Sequence, residues 1–184
     1  MAVYIEPARF PADTAAIHSL FSGYAASLGI DLTFQSFQQE LDSLPGTYAE
    51  SQGGTLLIAR AQRAGHPHRK ANSGSTPDHA SLAAVEDSSA VGCVALRRSS
   101  DNWCEMKRLY VVPETRGLHL GEKLVQSILA QAKALGYRGV RLDTLPDMAA
   151  AQRLYRRHGF VQIEPYYDTP IKGTIFMGCE FTQS

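Results

Sequence analysis

The sequence predicts an α/β fold, and three observations predict it. Residues 106–112 are rich in strand formers, stop at Pro113-Glu114, and pass through a turn carrying Gly117 and Gly121 into a helix. A second strand-to-helix unit follows, with Val140, Leu142 and Thr144 alternating ahead of a helix around Tyr155. Across the chain, strands and helices follow in the order β-α-α-β-β-β-α-β-α-β-β without an internal repeat. At 184 residues the chain fits a single domain, 1–184, able to bury a substantial core without staples.

Residues 3–5 read as a short first strand, and Pro11-Ala12-Asp13 opens a helix whose Ile17, Leu20, Phe21, Tyr24 and Leu28 form one apolar stripe. Residues 34–44 read as a second helix, ending before Pro45-Gly46. Residues 55–59 and 90–96 are strands. Between them, residues 61–89 are polar, rich in breakers and without period, and read as a long flexible insertion. Its His66, His68 and His79 lack a cysteine or carboxylate cluster at ligand spacing, so a solvated loop is expected in preference to a metal site. Ser99-Ser100-Asp101-Asn102 turns the chain into a fourth strand, 103–112. The next helix carries Leu120, Leu124, Val125, Ile128, Leu129, Ala132 and Leu135 at helical spacing and stops at Gly136. Residues 139–145 are a fifth strand. Val161-Gln162-Ile163 and Ile175-Phe176-Met177 read as the last two, joined by residues 166–173.

Composition narrows the function classes. Lys plus Arg equals Asp plus Glu at 18 each, so nothing in the charge balance points to nucleic acid or an anionic membrane as partner. Cys93, Cys104 and Cys179, an odd number in apolar, strand-like surroundings, read as reduced core thiols in a reducing compartment. The start lacks a basic, then long apolar, signal segment, and no apolar run approaches the ~18 residues of a membrane span. A soluble cytoplasmic protein, monomer or homodimer, is the expectation.

The chemistry concentrates at Arg116-Gly117-Leu118-His119-Leu120-Gly121. The first N–H groups of a helix have no internal partners and sit at the positive end of its dipole, so a strand–turn–helix with glycines suits a diphosphate. This stretch resembles the pyrophosphate loop of the GNAT superfamily of N-acetyltransferases, Gln/Arg-x-x-Gly-x-Gly/Ala after the fourth strand. Arg116 and Gly121 match its ends, and His119 stands at the middle position usually held by glycine. Ala151-Gln152-Arg153-Leu154-Tyr155-Arg156-Arg157-His158-Gly159-Phe160 is similar to a second family motif, Asn-x-x-Ala-x-x-Leu-Tyr-x-x-x-Gly-Phe, with Met148 where asparagine is common. The two motifs lie in the family's order with the expected elements between them.

The resemblance implies a mixed sheet with helices on both faces, acetyl-CoA as acyl donor, and direct transfer in a ternary complex to a primary amine of a small molecule or an exposed protein amine; with the histidine spacing above, no metal is expected. It assigns coenzyme contacts to Leu109, Tyr110 and Val111 through the backbone, to Arg116, Gly117, Leu118, His119, Leu120, Gly121 and Glu122 at the diphosphate, and to Met148 along the pantetheine arm. Arg156 and Arg157 are further phosphate candidates. An amine with a pKa near ~10.4 must lose a proton before attack. Glu105 is the first candidate base, with a surface ion pair between neighbouring residues as the alternative reading, and Asp143 the second; together they would favour a cationic amine. Tyr155 holds the position of a tyrosine that protonates the leaving thiolate, with core packing as its alternative. Tyr24, Phe21, Phe34, Tyr166 and Tyr167 flank the implied acceptor site, although core packing is the expectation for the Phe21 and Tyr24 stripe. A competing function is a coenzyme-binding or regulatory module that has lost catalysis. A dinucleotide-binding dehydrogenase is disfavoured, since the loop lacks Gly-x-Gly-x-x-Gly.

Overall fold

The computed structural model describes residues 2–29, 36–62, 88–100 and 102–182. Strands β1 (Ala2–Pro7), β2 (Thr55–Gln62), β3 (Ser88–Arg98), β4 (Trp103–Val111), β5 (Gly139–Thr144), β6 (Val161–Gln162) and β7 (Ile175–Glu180) form one sheet in the order β1-β2-β3-β4-β5-β7-β6. Every neighbouring pair is antiparallel except β4 with β5, which makes the sheet mixed as expected. Helices α1 (Thr14–Leu28) and α2 (Phe37–Asp42) precede β2; α3 (Leu120–Ala134) follows β4, and α4 (Ala149–Arg157) follows β5.

Strand alternation divides the core in two. Leu57, Ala59 and Ala61 of β2 pack with Val94, Leu96, Cys104, Met106 and Val140 against Leu120, Leu124, Val125 and Ile128 of α3 and Tyr155 of α4. Leu56 and Ile58, one residue out of phase, pack with Cys93 and Ala95 against Ile17, Leu20 and Phe21 of α1 and Leu41 of α2. Of the helical stripe that the sequence shows on α3, Leu120, Leu124, Val125, Ile128 and Ala132 are buried and Leu129 is half-buried, whereas Leu135 lies past the last helical residue, Ala134, and is exposed; Gly136 at φ +78° follows it. The three cysteines are free; burial pushes the Cys104 thiol up to about 12, so it stays a protonated, unreactive core group.

Several boundaries differ from the sequence reading. The second helix is shorter, ending at Asp42, because Pro45-Gly46 leads into two 3-10 turns, Gly46–Tyr48 and Glu50–Gln52. The ends of the expected insertion are paired strand, with Ala61↔Ser89 and Gln62↔Ser88 in register. The rest of that insertion and Phe34 lie outside the described residues. The first strand extends through Pro7 and the fourth stops at Val111, where Pro113–Thr115 forms a 3-10 turn.

Candidate active site

The site begins where two parallel strands part. β4 and β5 pair only at Trp103↔Gly139, Cys104↔Val140 and Glu105↔Arg141. Their outer edges stay paired much further, β4 with β3 to Val111↔Gly92 and β5 with β7 to Thr144↔Ile175. The facing edges beyond Glu105 and Arg141 therefore diverge and leave strand N–H and C=O groups directed into a slot. Residues 106–109 and 142–145 line the resulting pocket with Tyr24 and Leu28 of α1, Met148 and Tyr155, and Thr169, Ile171 and Thr174 of the segment before β7.

A bulge shapes one wall. Cys93 pairs with Tyr110 and Ala95 with Lys107, so two residues of β4, Arg108 and Leu109, oppose Val94 alone. Arg108 takes φ +57° there. Its buried guanidinium meets Glu40 of α2 through Nε–Oε1 at 2.9 Å and Nη2–Oε2 at 2.5 Å, between the rings of Tyr24 and Phe37. Burial opposes ionisation of Glu40, but the Arg108 hydrogen bonds and charge prevail and hold its pKa below the usual 4.5. The sequence reading missed this pair. Its only signal is a charge, Arg108, where β4 otherwise turns apolar.

Behind the pocket lies a network of acids and bases on the α1/α2 face of the sheet. Glu105 is 2% exposed, its Oε2 bound by Arg97 Nε at 2.6 Å and its Oε1 accepting from the Tyr166 hydroxyl at 2.9 Å. It is an ion pair, as the alternative reading had it, but a buried one. Asp143 lines the pocket, with Lys107 Nζ at 3.1 Å from Oδ1. Tyr166, Tyr167 and Phe176 stack edge-on, and the Arg141 guanidinium lies 4.1 Å over the Tyr166 ring while bonding Ser99 and Ser100. Phe21 is core, as expected, whereas Tyr24 reaches the pocket.

Tyr155 enters the pocket from α4 and packs against Phe160, so it is core residue and pocket wall at once. Burial above all, then Tyr24 and Asp143, push its phenol well above the ordinary value. Burial likewise lifts Tyr24 to about 12, with Arg108 opposing and Asp143 assisting. Both hydroxyls are therefore protonated at neutral pH and are proton donors rather than bases.

At the far end of the slot the loop turns into α3. Gly117 has φ +90°, and His119, the residue preceding the helix, has φ +53° and ψ 22°. The left-handed conformation at that position explains why glycine suits it, and histidine is among the residues that tolerate it. No side chain caps α3, so the N–H groups of Leu120, Gly121 and Glu122 have no helical partner. A Cβ at Gly121 would meet Leu154 at 3.6 Å and Val111 at 4.0 Å, ordinary contacts. The His119 ring is 81% exposed with Nδ1 3.6 Å from Glu122, beside the loop rather than across it. Arg116 is exposed, its Nε 3.4 Å from the Val111 carbonyl. Tyr110 turns away from the slot into the α1 core, where its ring lies against Gly23, leaving its backbone to the β4 edge. Met148 stands at the start of α4, with its sulfur near Thr144.

Comparison with known proteins agrees with this architecture. Residues 45–160 match the Acetyltransferase (GNAT) family. An uncharacterized N-acetyltransferase of Schizosaccharomyces pombe is 35% identical over 182 residues, covering 98% of this chain and 96% of that protein. One from Dictyostelium discoideum is 30% identical over 211 residues, covering 82% and 86%. Among solved structures, the yncA protein of Salmonella typhimurium, with its cofactor acetyl-CoA, superposes with a TM-score of 0.64 at 18% identity, covering 100% of this chain and 96% of that one. The chain belongs to the GNAT acetyltransferase family and is an acyltransferase of the N-acetyltransferase type. No helix among the described residues is long and apolar enough to cross a membrane.

Proposed function

We propose that the chain transfers the acetyl group of acetyl-CoA to a primary amine by direct attack within a ternary complex. The observation that carries this reading is the parting of β4 and β5 beside Tyr155, in line with the uncapped start of α3. The diphosphate is received by the N–H groups of residues 117–122, and Arg116, exposed at the loop, adds a guanidinium. The pantetheine arm occupies the slot along Leu109 to Val111 and past Met148. Strand N–H groups in the slot stabilise the negative oxygen that forms on the thioester carbonyl.

The proton steps follow from the surroundings of each group. Asp143, at the pocket, accepts a proton from the acceptor ammonium through water. Glu105 is the positioning residue, since Arg97 and Tyr166 already occupy both its oxygens. The neutral amine attacks; the N–C bond forms and the C–S bond breaks. The thiolate takes the Tyr155 hydroxyl proton, and the second proton leaving the nitrogen restores Tyr155. The proton on Asp143 returns to solvent.

The test measures CoA binding by calorimetry and free-thiol release from acetyl-CoA across a panel of amines. Tight binding with amine-dependent release is expected. Binding without release for any amine would instead identify a coenzyme-binding module, and absence of binding would remove the reading altogether.

A further inference from the structure

We propose that the acceptor carries a small anionic group, carboxylate or phosphate, near its reacting amine, and that Lys107 binds that group. The inference rests on the acetyltransferase reading above, with Asp143 as the cleft-side proton acceptor. It departs from the expectation that two acids in the cleft would favour a cationic amine.

The ionised groups around the pocket are already matched. Arg108 pairs with Glu40, Arg97 with Glu105, and Lys107 with Asp143. No carboxylate of this set is left over to select a second positive charge on the acceptor. Lys107 and Arg108 both line the pocket, but only Lys107 is paired with the carboxylate that takes part in the chemistry, Asp143. Its side chain is 9% exposed, and its ion-pair partners are Asp143 at 3.1 Å and Glu105 at 3.7 Å. Glu105 is fully engaged by Arg97 and by the Tyr166 hydroxyl.

When Asp143 takes the proton of the acceptor ammonium, it stops neutralising Lys107. A shielded ammonium then keeps only the Glu105 carboxylate at 3.7 Å, which it shares with Arg97, and that weaker compensation opposes the proton transfer. A carboxylate or phosphate of the acceptor, seated on Lys107, supplies the missing negative charge at that moment. Lysine has three N–H donors, so it can hold such a group while it still touches Asp143. An acceptor with a second cation there would instead meet Lys107 as a like charge. The polar walls provided by Thr144, Thr169 and Thr174 leave room for a small, hydrogen-bonding acceptor.

The experiment compares matched pairs on the full chain: L-amino acids against their C-terminal amides, and 2-aminoethyl phosphate against the corresponding amino alcohol. Binding to CoA-loaded protein is read by calorimetry, and kcat/KM by thiol release. The anionic member of at least one pair should be preferred by about tenfold or more, the usual worth of a charge-assisted contact. The pair that shows it distinguishes carboxylate from phosphate. Lys107→Gln should bring that ratio close to one, mainly through KM, and Lys107→Arg should restore part of it. Equal handling of both members in every pair, or a ratio unmoved in Lys107→Gln, overturns the assignment. The parent's ratio needs no variant, so misfolding of a substitution does not shield the proposal. A cationic amine turned over briskly with no preference for anions overturns this inference alone, whereas failure to bind CoA removes the acetyltransferase reading with it.

Discussion

Replacing His119 by glycine separates the backbone of the diphosphate loop from its side chain. His119 sits at φ +53° and ψ 22°, a conformation that costs a residue with a Cβ about 1–2 kcal/mol. Glycine removes that cost but brings a larger loss of chain entropy on folding, about 0.5–1 kcal/mol. The contact of Nδ1 with Glu122 at 3.6 Å belongs to a ring 81% exposed, so solvent screening leaves it less than about 0.5 kcal/mol. The balance is a gain of roughly 0–1 kcal/mol, which for a chain of this size leaves Tm unchanged or raises it by up to about 4 °C. Calorimetric CoA affinity should be unchanged or tighter, because backbone N–H groups make the grip. A lower Tm would show that the turn is not held in the left-handed form. A tenfold loss of affinity would show that the imidazole itself contacts the coenzyme.

Two further outcomes test the chemistry and the frame. Tyr155→Phe should lower kcat by about 10²-fold or more while sparing CoA affinity, as befits loss of a general acid; unchanged turnover, with chemistry shown to limit the rate, removes the role. Glu40→Gln removes the carboxylate that meets both Nε and Nη2 of the Arg108 guanidinium, itself 2% exposed, and should cost about 3–5 kcal/mol in urea unfolding at pH 7. Because the folded pKa of Glu40 is depressed, its contribution is complete above the unfolded value of 4.5 and is lost as pH falls through the folded value. The gap between parent and variant should therefore close below about pH 4.5, and a gap that ignores pH would contradict the pairing.

The sequence carried most of the fold, and the reasons are visible in particular residues. The α3 stripe and the alternation of Val140, Leu142 and Thr144 are local patterns, and they reappear as buried faces. Tyr155 was identifiable because its motif has fixed spacing, and the loop because glycines and a helix start are adjacent in the chain. Pairings between distant segments leave no such trace. Glu40 and Arg108 lie 68 residues apart, and Glu105 meets Tyr166 across 61. Alternation placed Glu105 and Lys107 on one face of β4 but did not show that the face was covered. The bulge at Arg108 and Leu109 is also illegible, since it depends on the register against Val94. The left-handed turn at His119 accounts for the glycine preference at that position, a conformation that the residue itself does not announce.

The account stands on the coenzyme lying in the slot between β4 and β5. A crystal structure of the chain with bound CoA tests it most directly. The diphosphate should accept hydrogen bonds from N–H groups within residues 117–122, with the sulfur within hydrogen-bonding reach of the Tyr155 hydroxyl. A nucleotide bound elsewhere, or a sulfur remote from Tyr155, would contradict it.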